Sequence, residues 1–373
     1  MYKIRGLALH ADPPASRGEF REYLEELEDG ARLLEEVSRR LSGEFEILST
    51  RLVLPPVERL EAGVGALGIR ELVELDELAK SEGVDLVALP LASMERREVL
   101  DLVPEALGET ERLYISVRLG EEADLMRASS LMKEVSERAG WTAPCRFAYS
   151  LGEQPVTPYF PVTRSERHCL TACLLYASEL SEEAKRGGVR RVGERVREIA
   201  LAVRGKCERA CEEVRVAFSG LDLSISPWME ESVVPLLEEI KGGPLGVPGN
   251  FYALYELNKS LREIGEEVGA IGFNEVMLPL AEDEGLKERA KTGEIAFRDL
   301  LALVAVCVAG LDMVPIPSWT DDRVIAGVLR DLGAFRGLKG KTVGVRLIPV
   351  GVEAGEEVDL GEFGKTPVLD VLG

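Results

Sequence analysis

The sequence predicts an α/β fold: a mostly parallel sheet with helices outside it, closed into a barrel. Three observations carry this expectation. Nine or ten apolar runs of strand length alternate with helical patterns, which is the layout of consecutive βα units. One run, Val84–Leu91 (VDLVALPL), has the near-continuous apolar character of a strand buried on both faces. A short repeat, Val87–Ala92 (VALPLA) and Val276–Ala281 (VMLPLA), recurs 189 residues apart, about half of the chain. An open sheet this wide is uncommon, and closure removes its edges. No Pro/Ser-rich linker divides the 373 residues, so one domain over 1–373 is expected.

In order, Lys3–His10 reads as a first strand. Phe20–Leu41 reads as a helix, because Leu24, Leu27, Ala31, Leu34, Val37 and Leu41 recur every three or four residues. Phe45–Leu54 is a strand stopped by Pro55-Pro56, and 58–82 holds one or two helices broken at Gly63, Gly65 and Gly68. After Val84–Leu91 come a helix at Arg97–Leu107, a strand at Arg112–Leu119, a helix at Glu121–Ala139 and a strand at Cys145–Leu151. Val156–Val162 (VTPYFPV) is extended. Helices are predicted over Arg167–Leu180 and Val189–Val214, then a strand over Val214–Ile225 that bends at Gly220. Helices follow at Glu230–Ile240 and Phe251–Val268. An apolar strand then ends near Pro279-Leu280. A helix carrying Cys307 leads to a strand at Leu311–Pro315. A helix at Asp321–Leu332 and a strand at Thr342–Val350 complete the pattern, and the tail holds a short strand near Val368–Val371.

Composition excludes several classes. The net charge of −21 repels phosphate backbones and anionic lipid heads, so neither nucleic acid nor membrane is a partner. No apolar run approaches the roughly 20 residues of a transmembrane helix. The N-terminus enters a strand directly with no signal-peptide layout, so a cytoplasmic protein is expected. One Gln and three Asn beside 30% charged residues suggest a thermophile, and with it a homo-oligomer.

Strand ends carry the candidate chemistry, because α/β proteins place their sites there. Arg346 interrupts the apolar strand Val343–Val350. Pointing inward, it must be paired or bind an anion; at an edge it carries no function. Ser219, Asp222, Ser224 and Ser226 surround the bend at Gly220, with Asp222, Ser224 and Ser226 on one face by period two. Glu282, Asp283 and Glu284 could serve as acid/base groups or cation ligands. They equally suit a helix start, where acids cap and meet the dipole. Asp312 starts the following strand. Cys307 lies among valines near a helix C-terminus, a setting that suits an inert thiol and leaves it a remote nucleophile.

The pairs Cys169/Cys173 and Cys207/Cys211 are spaced i, i+4. Core packing accounts for them better than zinc, whose ligands more often come in CxxC knuckles. His10 and His168 are few for a histidine mechanism, and GGPLGVPGN at 242–250 has no phosphate-loop spacing. The residues leave both cofactor and metal unknown.

Five stretches resemble one family: PYFPVTRSER (158–167), FSGLDLSISPWMEES (218–232), LPLAEDEGL (278–286), VCVAGLDMVPIP (306–317) and VRLIPVGVEAGEEVDLG (345–361). They look like the domain-of-unknown-function 711 family of bacteria and archaea, most strongly from about residue 155 onward. That family is similar in fold to pyruvate formate-lyase-like glycyl radical enzymes. The resemblance therefore implies a ten-stranded α/β barrel built from two five-stranded halves. It also raises Asp222, Glu282, Asp283, Cys307, Asp312 and Arg346 as candidates without supplying their roles. Radical enzymes carry RVxG near the C-terminus. Here the nearest text is Arg346-Leu347-Ile348-Pro349, with no glycine, so no glycyl radical chemistry is expected. Two readings follow. One is an enzyme acting on a small polar or anionic metabolite in the barrel mouth, with Asp222, Glu282, Asp283 and Cys307 catalytic and Ser219, Ser224, Asp312 and Arg346 holding the ligand. The other is a ligand-binding or regulatory protein on the same scaffold.

Overall fold

Ten strands form one mixed sheet in a computed structural model that describes residues 2–14, 18–121, 123–306 and 310–373. They are β1 (Tyr2–His10), β2 (Phe45–Ile47), β3 (Thr50–Val53), β4 (Leu86–Leu91), β5 (Leu113–Leu119), β6 (Phe147–Leu151), β7 (Cys169–Leu175), β8 (Phe218–Asp222), β9 (Gly310–Pro317) and β10 (Val343–Val350). The order is β8-β7-β1-β3-β4-β5-β6-β10-β9, with β2 beside β1. From β1 to β6 every neighbour is parallel. β7–β8 and β9–β10 are also parallel. These two pairs flank the β1–β6 set, meeting it antiparallel at β1–β7 and β6–β10.

The ladder has two ends, β8 and β9, so the hydrogen bonds among the described residues do not close the expected barrel. The run after Ile271 lies beyond β8: Ile225 bridges to Val276 in parallel, through Ile225 N–H to the Glu275 carbonyl (3.1 Å) and Met277 N–H to the Ile225 carbonyl (2.9 Å). It does not become a regular strand. Asn274 has a left-handed φ of 55°, and Pro279 has no N–H to donate. Across the gap, Pro315 and Pro317 of β9 lack donors as well.

One element differs in kind. The helix expected over Arg167–Leu180 is strand β7, and the next helix begins at Ala177. CLTACLL alternates with period two: Leu170, Ala172 and Leu174 join the outer core, while Cys173 packs against Tyr159 and Met277 on the other face. A fully buried strand joining the two halves leaves no surface for helical periodicity to mark. The Cys169/Cys173 pair therefore lies on a strand, not a helix. The helix after it kinks at Gly187 and Gly188, close to the expected start at Val189. The tail forms a hairpin, Glu357–Asp359 with Lys365–Pro367, earlier than the strand expected near Val368.

Strand alternation sorts the chain into two environments. Leu52, Leu89, Ile115 and Tyr149 face the helices and share one core with the predicted stripe residues Leu27, Ala31, Leu34 and Val37 of Phe20–Leu41. The opposite strand faces carry Ala8, Val53 and Ala88, against which Phe160 packs from the β6–β7 loop. Small side chains at these positions leave room inside the sheet.

Candidate binding site

A cavity of about 280 Å³ opens on that inner face. Three arginines reach it, from β1, β3 and β10, and each is at most 7% exposed. Arg5 points inward because the β1–β7 register slips between Ile4 and Gly6. Without that bulge, Arg5 would share the outward face of Leu7 and Leu9. A second bulge aims Asp312. Between the pairs Val345–Leu311 and Leu347–Val314, two residues of β9 face the single Arg346, and Met313 takes a left-handed φ of 54°. Gly6 is required for close approach, since a Cβ there would lie 2.6 Å from Arg51 Nε.

The charged groups form a chain. Arg5 Nη2 donates to Glu282 Oε2 (2.5 Å), and Arg346 Nη2 donates to Glu282 Oε1 (2.9 Å). Arg346 then grips Asp312 through Nε to Oδ1 (2.5 Å) and Nη2 to Oδ2 (2.9 Å), and its Nη1 reaches the Cys145 carbonyl (3.1 Å). Arg5 also donates to the Ser226 hydroxyl and the Pro227 carbonyl, and it lies over the Trp228 ring at 5.2 Å. Burial pushes the Glu282 carboxyl up, but Arg346 and Arg5 together outweigh it and hold Glu282 below its ordinary range. Asp312 goes the other way. Burial dominates, the charge of Glu282 adds to it, and Arg346 does not fully offset them, so this carboxyl is raised. Glu362, exposed at the rim on the C-terminal hairpin, is raised by partial burial and by Glu282.

Arg51 differs from the other two. Its Nε donates to Ser49 Oγ (3.0 Å), its Nη1 to the Pro158 carbonyl (2.6 Å) and its Nη2, at 3.4 Å, to the Arg5 carbonyl. Among the described residues no carboxylate pairs with it. A guanidinium stays protonated in any protein setting, so Arg51 places a buried positive charge on the cavity wall.

A family model described as "Uncharacterised ACR (DUF711)" matches residues 12–361. This chain belongs to the domain-of-unknown-function 711 family. A UPF0210 protein of Methanopyrus kandleri is 30% identical over 97% of this chain and 88% of its own length. UPF0210 proteins of Lactobacillus helveticus and Pyrobaculum islandicum are 27% and 26% identical, over 93% and 91% of this chain and 85% and 81% of theirs.

In this member of the domain-of-unknown-function 711 family, only part of the expected site comes together. Glu282, Asp312 and Arg346 meet at the cavity. Asp222 does not line it. That carboxylate accepts from the Thr157 hydroxyl (2.6 Å), the Ser224 hydroxyl (2.6 Å) and the backbone N–H groups of Ser224, Phe273 and Asn274 (3.0, 2.8 and 3.1 Å). It fastens the turn at 272–274 to β8. Ser224 belongs to the same knot, and Ser219 accepts a bond from Arg167 outside the cavity. Asp283 caps the helix Glu284–Lys291, accepting from Leu286 N–H (3.1 Å) and from Val233 N–H (3.1 Å). Cys307 lies outside the described residues.

Sequence reasoning missed Arg5, Arg51 and the aromatic lining. The signal for both arginines was the one used for Arg346, an arginine inside a strand. Among the described residues no group of three or more metal-ligating side chains converges, and no helix is long and apolar enough to cross a membrane.

Proposed function

We propose that this protein binds a small anionic metabolite in the cavity, with Arg51 as its anchor. The observation that carries the reading is the buried Arg51 guanidinium, which faces the cavity with no carboxylate partner among the described residues. A buried charge is costly unless paired, and a ligand anion supplies the pairing. Arg5 and Arg346 already share Glu282 and Asp312. They serve as a fixed positive wall rather than as the primary contact.

In this reading the interior is a ten-stave barrel, with the run 273–279 standing in the gap between β8 and β9. The β1–β6 set and the flanking pairs with that run then become two halves of five, as the family resemblance implies. No radical step is involved, because the Arg346–Pro349 text has no glycine where one would reside.

Turnover is a second reading, favoured by one specific observation. Asp312 is a cavity carboxyl that burial pushes up in spite of the Arg346 fork, so it holds a proton more readily than an ordinary aspartate, as a general acid or base does. Asp312 would exchange a proton with the bound anion while Glu282 stays charged.

Thermal unfolding in the presence of phosphate, acetate and chloride at equal ionic strength tests the anion reading. A ligand that binds only the folded state raises the midpoint, and above its Kd the rise follows the logarithm of its concentration. Such a rise with one of these anions, lost in Arg51→Met, is the expected result. A uniform response shared by the wild type and Arg51→Met defeats it.

A further inference from the structure

We infer that the ligand is a small carboxylic acid built on a flat aromatic or conjugated body; this rests on the anion reading above and narrows it. The carboxylate would sit on Arg51. Ser49, Pro158 and Arg5 take up one N–H on each of its three nitrogens. One N–H on each terminal nitrogen is left, and that pair matches the two oxygens of a carboxylate in a parallel fork.

The body of the ligand is read from the remaining wall. Two aromatic pairs line the cavity, one from each half of the chain. Tyr114 and Phe160 meet edge to face with ring centres 5.9 Å apart, and Trp228 and Phe363 do the same at 5.9 Å. Arg51 lies over Phe160 at 5.4 Å, so the anchor and the first aromatic pair are adjacent. Rings held edge to face present both faces and edges to a guest, and a planar guest can meet each in its preferred geometry. The Tyr114 hydroxyl has no hydrogen-bond partner among the described residues although the side chain is buried. The hydroxyl oxygen itself is reached from the cavity, so a polar atom of the ligand can take the place of water there. The 280 Å³ volume equals the liquid share of roughly nine waters, which suits a one-ring acid.

The experiment is calorimetric titration of the full chain with benzoate, cyclohexanecarboxylate and inorganic phosphate. The two acids share charge and approximate size and differ in the flat π-face. Benzoate is expected to bind at least tenfold more tightly than cyclohexanecarboxylate. Phe160→Leu should remove that preference while keeping the weaker acid's affinity. Arg51→Lys keeps the charge without the planar fork, and should weaken both acids at least tenfold. Equal affinity of the two acids, or an undiminished preference in Phe160→Leu, overturns the aromatic assignment. Phosphate binding more tightly than either acid also overturns it, yet leaves the anion reading standing. No heat from any of the three, with no stabilisation in thermal unfolding, defeats both.

Discussion

Glu282 joins Arg5 and Arg346 across 277 and 64 residues of sequence, one carboxylate oxygen to each guanidinium, with all three side chains buried. The two arginines lie on strands from opposite halves of the sheet, and Glu282 follows the run that lies beyond β8. Glu282→Gln would leave Arg5 facing a neutral amide without a carboxylate partner, and Arg346 with Asp312 alone. Removing one partner of a buried pair costs about 3–5 kcal/mol, far more than an exposed pair is worth. Urea unfolding at pH 7 should show a loss of that order. A change below about 1 kcal/mol would mean that solvent already screens the cluster. The pH dependence has a definite sign. Glu282 is held below its ordinary value in the folded state, so its contribution is present above the unfolded value of 4.5 and is lost as pH falls through the lower folded value. The stability gap between wild type and Glu282→Gln should shrink in that acid window.

His10 gives the protein a separate acid sensitivity. It is fully buried, with Nδ1 3.3 Å from the Arg164 carbonyl and Nε2 2.9 Å from the Thr171 hydroxyl. A carbonyl only accepts, so Nδ1 carries the proton and Nε2 accepts from Thr171. Burial lowers the imidazole from 6.5 to about 4, the Arg164 bond opposing only in part. The folded value lies below the unfolded one, so the neutral ring stabilises fully above pH 6.5. That stability is lost as pH falls towards 4. The shift corresponds to about 3 kcal/mol. Urea midpoints between pH 7 and 4 should fall less steeply in His10→Gln than in the wild type. Parallel slopes would exclude the histidine as the cause.

Asp222 tests the division between scaffold and site. Two of its five accepted bonds hold Phe273 and Asn274 against β8, and a Cβ on Gly272, whose φ is +78°, would lie 2.1 Å from Asp222 Oδ2. Asp222→Asn turns one acceptor into a donor that faces backbone N–H groups. Each buried donor left unsatisfied costs about 1–3 kcal/mol. A clear loss of stability is expected, with the anion response of the folded fraction retained. Loss of anion binding at full folding would put Asp222 in the site after all.

The sequence made some of this legible and hid the rest for physical reasons. Arg346 stood out because its neighbours in Val343–Val350 are apolar, and the helix-capping alternative for the acids at 282–284 holds for Asp283. Arg5 escaped because its facing depends on a bulge, and no periodicity records a slipped register. Arg51 escaped because β2 and β3 read as one strand, although Leu48 and Ser49 part them at the cavity wall. The polar run from 219 to 226 looked like a pocket. Of that run Ser226 alone reaches the cavity, where it accepts from Arg5; Asp222 and Ser224 spend their bonds on each other and on the turn at 272–274, and Ser219 meets Arg167 outside. Strand β7 was read as a helix because burial on both faces erased the pattern that distinguishes the two.

The described cysteines are expected to be inert in the native protein. Burial pushes the Cys145 thiol up to about 12, with Arg346 only partly opposing, and it pushes Cys207 up to about 12 as well. At pH 8 such a thiol is ionised in roughly one molecule in 10,000, a thousandfold or more below an ordinary cysteine. Both side chains are also closed to reagent by packing, Cys145 against Met313 and Ile348 and Cys207 in the main core. Iodoacetamide at pH 8, followed by peptide mapping, should leave both unmodified in the native protein and label both in guanidinium chloride. Native labelling of Cys145 at the rate of a free thiol would show that the packing behind Arg346 opens to solvent, and Arg346 would then be a solvated cation rather than part of a buried wall.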